Sequence, residues 1–336
     1  MKFLRIILFP LSIFYWIITS LRNFLFNIGI FESYQFDIPI ICVGNLNIGG
    51  TGKTPQIEYL IRLLSNKYKI ATLSRGYKRE STGFILANNN SDARNLGDEP
   101  FQFFNKFKNI LVAVDADRKN GIENLLSLNN KPEIILLDDA FQHRKVKCGL
   151  YILLTTYSDL FCHDFILPTG NLRESRSGAS RANVVIVTKC PRNLSLSNKN
   201  LINQKLKLNK TQQLFFSFID YDDKIYSENE ILNILDISKK DKLIIAGIAN
   251  PKPFFKHLES ENDLVLEFPD HHIFSEKDIF EIKKLSQNKI IITTEKDYVR
   301  LKNFEIENLY YLPIKSLFVE NSLVFDETVL EYIRHI

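Results

Sequence analysis

The stretch PIICVGNLNIGGTGKTPQIEYLIRLL (Pro39–Leu64) decides the fold. PIICVG (Pro39–Gly44) is a short apolar run of β type, and NLNIGGTGKTP (Asn45–Pro55) is rich in glycine. QIEYLIRLL (Gln56–Leu64) then sets Ile57, Leu60, Ile61 and Leu64 at helical spacing. A buried strand that passes through such a loop into a helix is the setting of a phosphate-binding P-loop. Glycines let backbone N–H groups wrap an anion, and the helix N-terminus adds partial positive charge. The cradle runs through Asn47, Ile48, Gly49, Gly50, Thr51, Gly52, Lys53 and Thr54. Lys53 can reach terminal phosphates and Thr54 can ligate Mg2+. Pro55 suits a first helical turn, where a missing N–H costs little. Asn47 stands where the eight-residue pattern starts with glycine; because asparagine tolerates left-handed backbone, the turn is expected to survive. The stretch predicts a nucleoside triphosphate site.

Working outward, 336 residues leave room for two domains, or one large domain with an appendage. With 45% hydrophobic and 24% charged residues, the composition is that of a folded globular protein. The net charge of +4 is weak, and the lysines are scattered rather than gathered into a stripe with interleaved aromatics, so nucleic acid is not an expected partner. Cys42, Cys148, Cys162 and Cys190 have no metal-ligand spacing, and Cys42 inside the apolar strand reads as a small buried hydrophobe. A reducing compartment fits this usage.

Continuous apolar runs follow the P-loop helix: KIATLSRGY (Lys69–Tyr77), NILVAVD (Asn109–Asp115), EIILLDD (Glu133–Asp139), LYILLTT (Leu150–Thr156) and NVVIVTK (Asn183–Lys189). Alternating with helical segments, they predict a doubly wound parallel sheet covered on both faces. The polar segment Asn193–Gln212 reads as a surface helix or linker. A second α/β pattern begins at LIIAGIANP (Leu243–Pro251) and continues through LVLEFPDHH (Leu264–His272), KIIITTEKD (Lys289–Asp297) and LYYLPI (Leu309–Ile314). The expected division is an N-terminal helix at 1–31, a P-loop domain at 32–215 and a smaller α/β lobe at 216–336, with a site between the lobes.

The N-terminal MKFLRIILFPLSIFYWIITSLRNFLFNIGIF (Met1–Phe31) carries Lys2, Arg5 and Arg22 and no acid before Glu32. It is slightly short for a spanning helix and has no small-residue cleavage site for a signal peptide. An interfacial anchor fits, with Tyr15 and Trp16 at headgroup level and the cations toward anionic lipid. The competing structural reading is a helix packed on the protein body. Membrane contact without full spanning is the expectation.

Several residue groups can carry chemistry. Asp138-Asp139 ends an apolar strand and is placed to hold Mg2+ or its water shell. In GDEP (Gly97–Pro100), a carboxylate can accept a proton from an attacking hydroxyl, although Asp-Glu-Pro also starts helices well. In DHH (Asp270–His272), a histidine can orient such a carboxylate or serve as a hydrogen-bonded structural group, and the residues alone do not choose. The same two-way choice holds for Arg173, Arg176 and Arg181 in LPTGNLRESRSGASRAN (Leu167–Asn183) and for Arg75 in SRGY: phosphate or carboxylate recognition, or ordinary polar loops. TKCP (Thr188–Pro191) has proline where a guanine-reading motif needs an acid, and TEKD (Thr294–Asp297) is out of frame, which leaves ATP as the expected nucleotide.

Together GNLNIGGTGKTP (Gly44–Pro55), SRGY (Ser74–Tyr77), GDEP, DDAFQH (Asp138–His143), LPTGNLRE (Leu167–Glu174), AGIANP (Ala246–Pro251), FPDHHIF (Phe268–Phe274) and TTEKD (Thr293–Asp297) closely resemble the tetraacyldisaccharide 4′-kinase family of lipid A biosynthesis. The resemblance implies an ATP- and Mg2+-dependent kinase acting on a membrane lipid at the cytoplasmic face of the inner membrane, with no obligate protein partner. It implies Lys53 and Thr54 on the phosphates and metal, Asp138 with the metal and Asp139 in support. Asp98 is then the general base paired with His271, while His143, Arg173 and Glu174 lie near the lipid headgroup. Two departures stand out. Ala140 replaces the glycine of the family's DDGFQH and should ask more of the turn; Asn171 stands where proline is common. Rival readings are a membrane-docked ATPase switch and a soluble small-molecule kinase.

Overall fold

The computed structural model describes residues 5, 7–238 and 240–335. Of the N-terminal cations, Lys2 lies outside them, as does Ile6. Phe9–Asn27 forms the first helix, α1, and Ile40–Asn45 the first strand, β1; the glycine loop after β1 opens α2 (Lys53–Leu64). Alternation along β1 feeds two apolar layers. Ile41 and Val43 pack with Ile57, Leu60, Ile61 and Leu64 of α2, while Ile40 and Cys42 join the layer on the opposite face.

The first lobe continues with β2 (Ile70–Ser74), β3 (Ile85–Leu86), α3 (Asp98–Lys106), β4 (Leu111–Val114), α4 (Arg118–Leu126) and β5 (Ile134–Asp138). β6 (Leu150–Thr156), β7 (Val184–Thr188), α5 (Leu196–Leu206) and β8 (Gln213–Tyr221) complete its run. The second lobe holds β9 (Lys224–Tyr226), β10 (Ile231–Asn233), β11 (Lys242–Ala246), α6 (Lys252–Leu258) and β12 (Leu264–Glu267). α7 (Glu276–Ser286), β13 (Ile290–Thr294), α8 (Glu295–Leu301) and β14 (Leu309–Leu312) follow, and then β15 (Ile314–Phe318) and α9 (Ser322–Arg334).

The first sheet has nine strands in the order β15-β8-β7-β6-β1-β5-β2-β4-β3, parallel except at its edges, where β3 and β15 run antiparallel to their neighbours. β1 sits between β5 and β6, so the chain winds to one side through β2 and β4, returns at β5 and continues to the other side. Ligand sites form where strand order reverses in this way. The register pairs Val43 with Asp138, which sets the glycine loop and the Asp138-Asp139 corner side by side. The second sheet orders β10-β9-β14-β13-β11-β12, with β14 to β12 parallel.

The chain divides less simply than a cut at 215/216. β8 straddles that point, and β15 leaves the second lobe to pair with β8. α9 then buries Phe325, Val329 and Ile333 in the layer that holds α2. The lobes meet where α3 packs on α8. Val299 joins Leu96, Phe101 and Val114 in a small apolar cluster, and ion pairs close both ends of the helix pair. At one end Lys106 bridges Glu58 of α2 and Glu295 of α8, 2.8 Å from each, with Arg62 2.6 Å from the same Glu58. Burial, with Glu58 close by, pushes the Glu295 carboxyl upward.

Removing the one cation shared by two buried carboxylates leaves uncompensated charge. Lys106→Met should cost about 3–5 kcal/mol of stability, read as a lowered unfolding midpoint, and adding Glu295→Gln should recover part of it. An unchanged midpoint in Lys106→Met would contradict this ionic tie between lobes.

Candidate active site

Gly44, at the end of β1, has no room for a side chain: a Cβ there would lie 2.6 Å from the Cβ of Phe141. The loop beyond it bends at Gly49 (φ 113°) and Gly52 (φ 86°), both left-handed positions that glycine fills without strain. Asn47 takes no left-handed conformation. The expected backbone reason for asparagine is thus replaced by another: Asn47 is buried, bridges Leu172, and donates from Nδ2 to Asp164 Oδ2 at 2.8 Å. The end of β7 holds the loop from the other side. Thr188 Oγ1 donates to the carbonyl of Thr51 (2.8 Å) and Lys189 Nζ to that of Gly50 (2.6 Å). Those two bonds hold the loop carbonyls against the end of β7, and Thr51 N–H closes the loop on the Gly49 carbonyl at 3.1 Å. Burial, and the charge of Lys53, lower the Lys189 ammonium's pKa. Lys53 rests 3.3 Å from Asn45 Oδ1 and 3.6 Å from Asp139 Oδ1.

The corner after β5 supplies the acids. Asp138 is buried, its Oδ1 has no hydrogen-bond partner among the described residues, and Ser74 Oγ is 3.4 Å from its Oδ2. Burial, reinforced by the charge of Asp139, pushes its pKa up to about 7. A bare buried carboxylate oxygen on the strand beside the one that feeds the glycine loop is what a hard cation with oxygen ligands satisfies. Asp139 holds the positive φ of the turn (48°). Its Oδ1 accepts from Arg173 Nη1 at 2.9 Å, and although burial opposes ionisation, Lys53 and Arg173 hold the carboxyl below its usual range. Because the left-handed residue is Asp139, Ala140 has no strained backbone to adopt, contrary to the expectation from the missing glycine. Arg118 is buried behind the corner and donates from Nη2 to the Asp138 carbonyl (3.3 Å).

Asp98 opens α3, and His271 lies after β12 at a left-handed φ of 59°. From separate lobes, Asp98 Oδ2 and His271 Nδ1 approach to 3.4 Å. Arg300 of α8 contacts both oxygens of Asp98, from Nη2 to Oδ2 and from Nε to Oδ1 (3.3 Å). Burial by itself would raise the Asp98 pKa, but the bonds from His271 and Arg300 and the charges of Arg300 and Lys296 outweigh it and hold the carboxyl well below the usual range. Lys296 Nζ is 2.8 Å from His271 Nε2, and the Tyr77 ring stands edge-on to the imidazole at 5.6 Å. Sequence reasoning did not single out Lys296, Arg300, Lys189 or Arg118 for the site. The signal for Lys296 was present in TTEKD (Thr293–Asp297), which entered as a motif of the family resemblance with no role given to its lysine.

The headgroup-loop residues divide. Arg173 joins the acid corner as above. Glu174 is buried and takes bonds from Asn23 (2.7 Å), Gln142 (3.0 Å) and Arg181 (2.7 Å). It therefore clamps α1 to the body. His143 is half-buried, and its Nε2 has no hydrogen-bond partner among the described residues and lies 4.0 Å from Asp117 Oδ1. Burial, then the nearby Arg118, push its pKa down to about 4. Arg176 is tied to the Asp164 carbonyl, and Arg75 is exposed at the end of β2.

α1 reverses the usual amphipathic order. Its polar side faces the protein: Ser12 (3% exposed) accepts from Thr169 N at 3.0 Å, Tyr15 donates to the Arg173 carbonyl at 3.0 Å, and Arg22 donates to the Gln142 carbonyl. Arg144 closes the far end on Asn27 at 2.7 Å. Phe14 and Ile18, each 65% exposed, point away with Leu11, Trp16 and Leu21.

A parallel sheet with a phosphate loop at its switch point, joined to a lobe that lends an imidazole, defines a two-lobed nucleotide-binding protein of the P-loop class. Residues 4–334 match the profile of the tetraacyldisaccharide-1-P 4′-kinases, LpxK. A protein of Flavobacterium psychrophilum named tetraacyldisaccharide 4′-kinase is 65% identical over 99% of this chain and 98% of its own length. One of the same name from Bacteroides thetaiotaomicron is 44% identical over 97% and 93%. The crystal structure of LpxK from Aquifex aeolicus in complex with ATP, 28% identical, superposes with a TM-score of 0.79 over 98% of this chain and 99% of that one. The chain belongs to the tetraacyldisaccharide-1-P 4′-kinase family.

A histidine whose pKa is depressed on folding adds stability above its unfolded pKa, and that stability is lost as pH falls through the folded value. His143→Gln removes the effect. The melting-temperature difference, wild type minus His143→Gln, should shrink between pH 7 and pH 4.5 by the equivalent of about 1–3 kcal/mol; a difference that grows on acidification would contradict the burial of this group.

Proposed function

We propose that this protein transfers the γ-phosphate of ATP to the 4′-hydroxyl of a tetraacyldisaccharide 1-phosphate, the step that gives lipid IVA in lipid A biosynthesis. Family membership over residues 4–334 supports the reaction. The structural observation that carries the mechanism is the approach of Asp98 and His271 across the lobe boundary, 3.4 Å apart.

The loop Asn47–Thr54 takes the triphosphate, its N–H groups and the start of α2 facing the anion. Lys53 leaves its resting contact with Asp139 for the β- and γ-phosphates. Thr54 and Asp138 would hold Mg2+, with Asp139 in support through its grip on Arg173, and the ion would supply positive charge for the phosphate oxygens. The sugar 4′-oxygen forms the new bond to the γ-phosphorus as the bond to the β,γ-bridging oxygen breaks. ADP leaves with that electron pair, and the hydroxyl proton passes to Asp98, aimed by His271. His143 and Arg173 lie toward the headgroup, and Glu174 serves it indirectly by fixing α1 against the loop.

The enzyme works on the cytoplasmic leaflet of the inner membrane, where ATP and lipid meet. α1 is about 28 Å long, enough by length and composition to cross a bilayer. Its polar side is nevertheless bonded to the body from Ser12 to Asn27, which supports a helix lying in the interface with its apolar side in lipid.

With labelled ATP and tetraacyldisaccharide 1-phosphate in mixed micelles, Asp98→Ala should keep ATP binding and lose about 10²–10⁴-fold in lipid phosphorylation. Lys53→Ala should weaken both. Near-normal turnover by Asp98→Ala would remove the base assignment, and release of phosphate with no label in lipid would overturn the kinase reading.

A further inference from the structure

Two cations one helical turn apart on α8 converge on the Asp98–His271 pair. Lys296 Nζ is 2.8 Å from His271 Nε2, and Arg300 contacts both oxygens of Asp98 while its Nη2 lies 3.2 Å from His271 Nδ1. Both side chains are donors only. A neutral imidazole has one lone pair to offer, so only one of the two contacts is a hydrogen bond to the ring. The shorter one is to Nε2, and Nδ1 has an acceptor in Asp98 Oδ2 at 3.4 Å. The ring is therefore the tautomer with its proton on Nδ1, aimed at Asp98.

Arg300 is itself fixed. Its Nη1 lies 3.4 Å from Asp297 Oδ1 and from the His272 carbonyl. Asp297 is fully buried and accepts from Gly247 N (2.8 Å) and Thr294 Oγ1 (2.7 Å). The first lobe's aspartate is thus gripped at two points by a guanidinium that the second lobe anchors on its own sheet.

We propose that Lys296 and Arg300 are positioning residues for proton acceptance: Lys296 selects the tautomer of His271 that aims at Asp98, and Arg300 keeps Asp98 ionised and in line through a two-nitrogen grip across the lobe boundary. This rests on the assignment of Asp98 as proton acceptor. Among the described residues, Arg300 and Lys296 from α8 and His271 from the loop after β12 act on Asp98; Asp270 and Glu99 face Lys296, at 3.7 and 3.4 Å, and Asp270 Oδ1 is 3.9 Å from His271 Nε2. Two neighbouring cations oppose protonation of Asp98. Activity that needs the carboxylate is lost as pH falls through its pKa, so wild type should keep its rate well into the acid range.

The test is the pH profile of lipid phosphorylation, with ATP binding and melting temperature measured for each variant. Arg300→Gln removes charge and grip. Its acid limb should rise by about one pH unit or more, and its plateau should fall about ten-fold or more, with the KM for ATP within about two-fold of wild type. Arg300→Lys restores the charge without the fork, so the limb should return while the plateau stays low. For Lys296→Met, nitrogen-15 NMR of the imidazole should show the proton leaving Nδ1 for a mixture of tautomers. An acid limb unmoved in Arg300→Gln, or a ring still protonated on Nδ1 in Lys296→Met, overturns the assignment for that residue. If Asp98→Ala itself turns over normally, the base reading fails instead, whatever the α8 variants do.

Discussion

An aspartate at the start of one helix, held by an arginine and an imidazole from another lobe, is the contact on which the rest of the site depends. Asp98 on α3 and Arg300 on α8 form one end of a helix pair whose other end is closed by Lys106 between Glu58 and Glu295. Glu58 belongs to α2, the helix that starts at the phosphate loop, so the same strip of charge ties that helix, the helix of the proposed base and the second lobe. Such pairs add little net stability once desolvation is counted, but each fails badly when one partner is lost. Their effect is on geometry: they set where the lobes meet.

The sheet does the complementary work. Parallel pairing of β1 with β5 brings the glycine loop and the acid corner to one edge, and the end of β7 supplies Thr188 and Lys189 beneath the loop carbonyls. α1 then lies across the loop at 164–174, polar side inward. In water an exposed row of Leu, Ile, Phe and Trp is a liability; against lipid it is the contact surface. The inverted helix and the buried Glu174 are linked, since Asn23 on the inward polar side donates to that carboxylate.

What could be read from the sequence was whatever local pattern dictates. The strand–loop–helix at Pro39–Leu64, the apolar runs that became β1, β2 and β4–β7, and the acids at the end of β5 all follow from residue type and spacing. Position-specific details went astray where a neighbour distant in sequence decided them. Asn47 is chosen by Asp164 rather than by backbone angle, and Ala140 is unstrained because Asp139 takes the turn. The burial of Glu174 had no local signal, because it depends on a residue of α1 151 positions away. The return of β15 and α9 to the first lobe had no local signature, because a short edge strand and an amphipathic helix pack equally well on either lobe. Arg300 was silent for the same reason: only the docking of α8 on α3 gives it Asp98 as a partner.

The most direct measurement is a double-mutant cycle on Asp98 and His271 in single-turnover phosphoryl transfer to the lipid, using Asp98→Asn, His271→Ala and the pair. If the two side chains act as one unit across the lobe boundary, the double variant should be hardly slower than Asp98→Asn alone, a coupling of about 1–3 kcal/mol. Rate losses that simply multiply would contradict a shared role, even if each single variant were impaired.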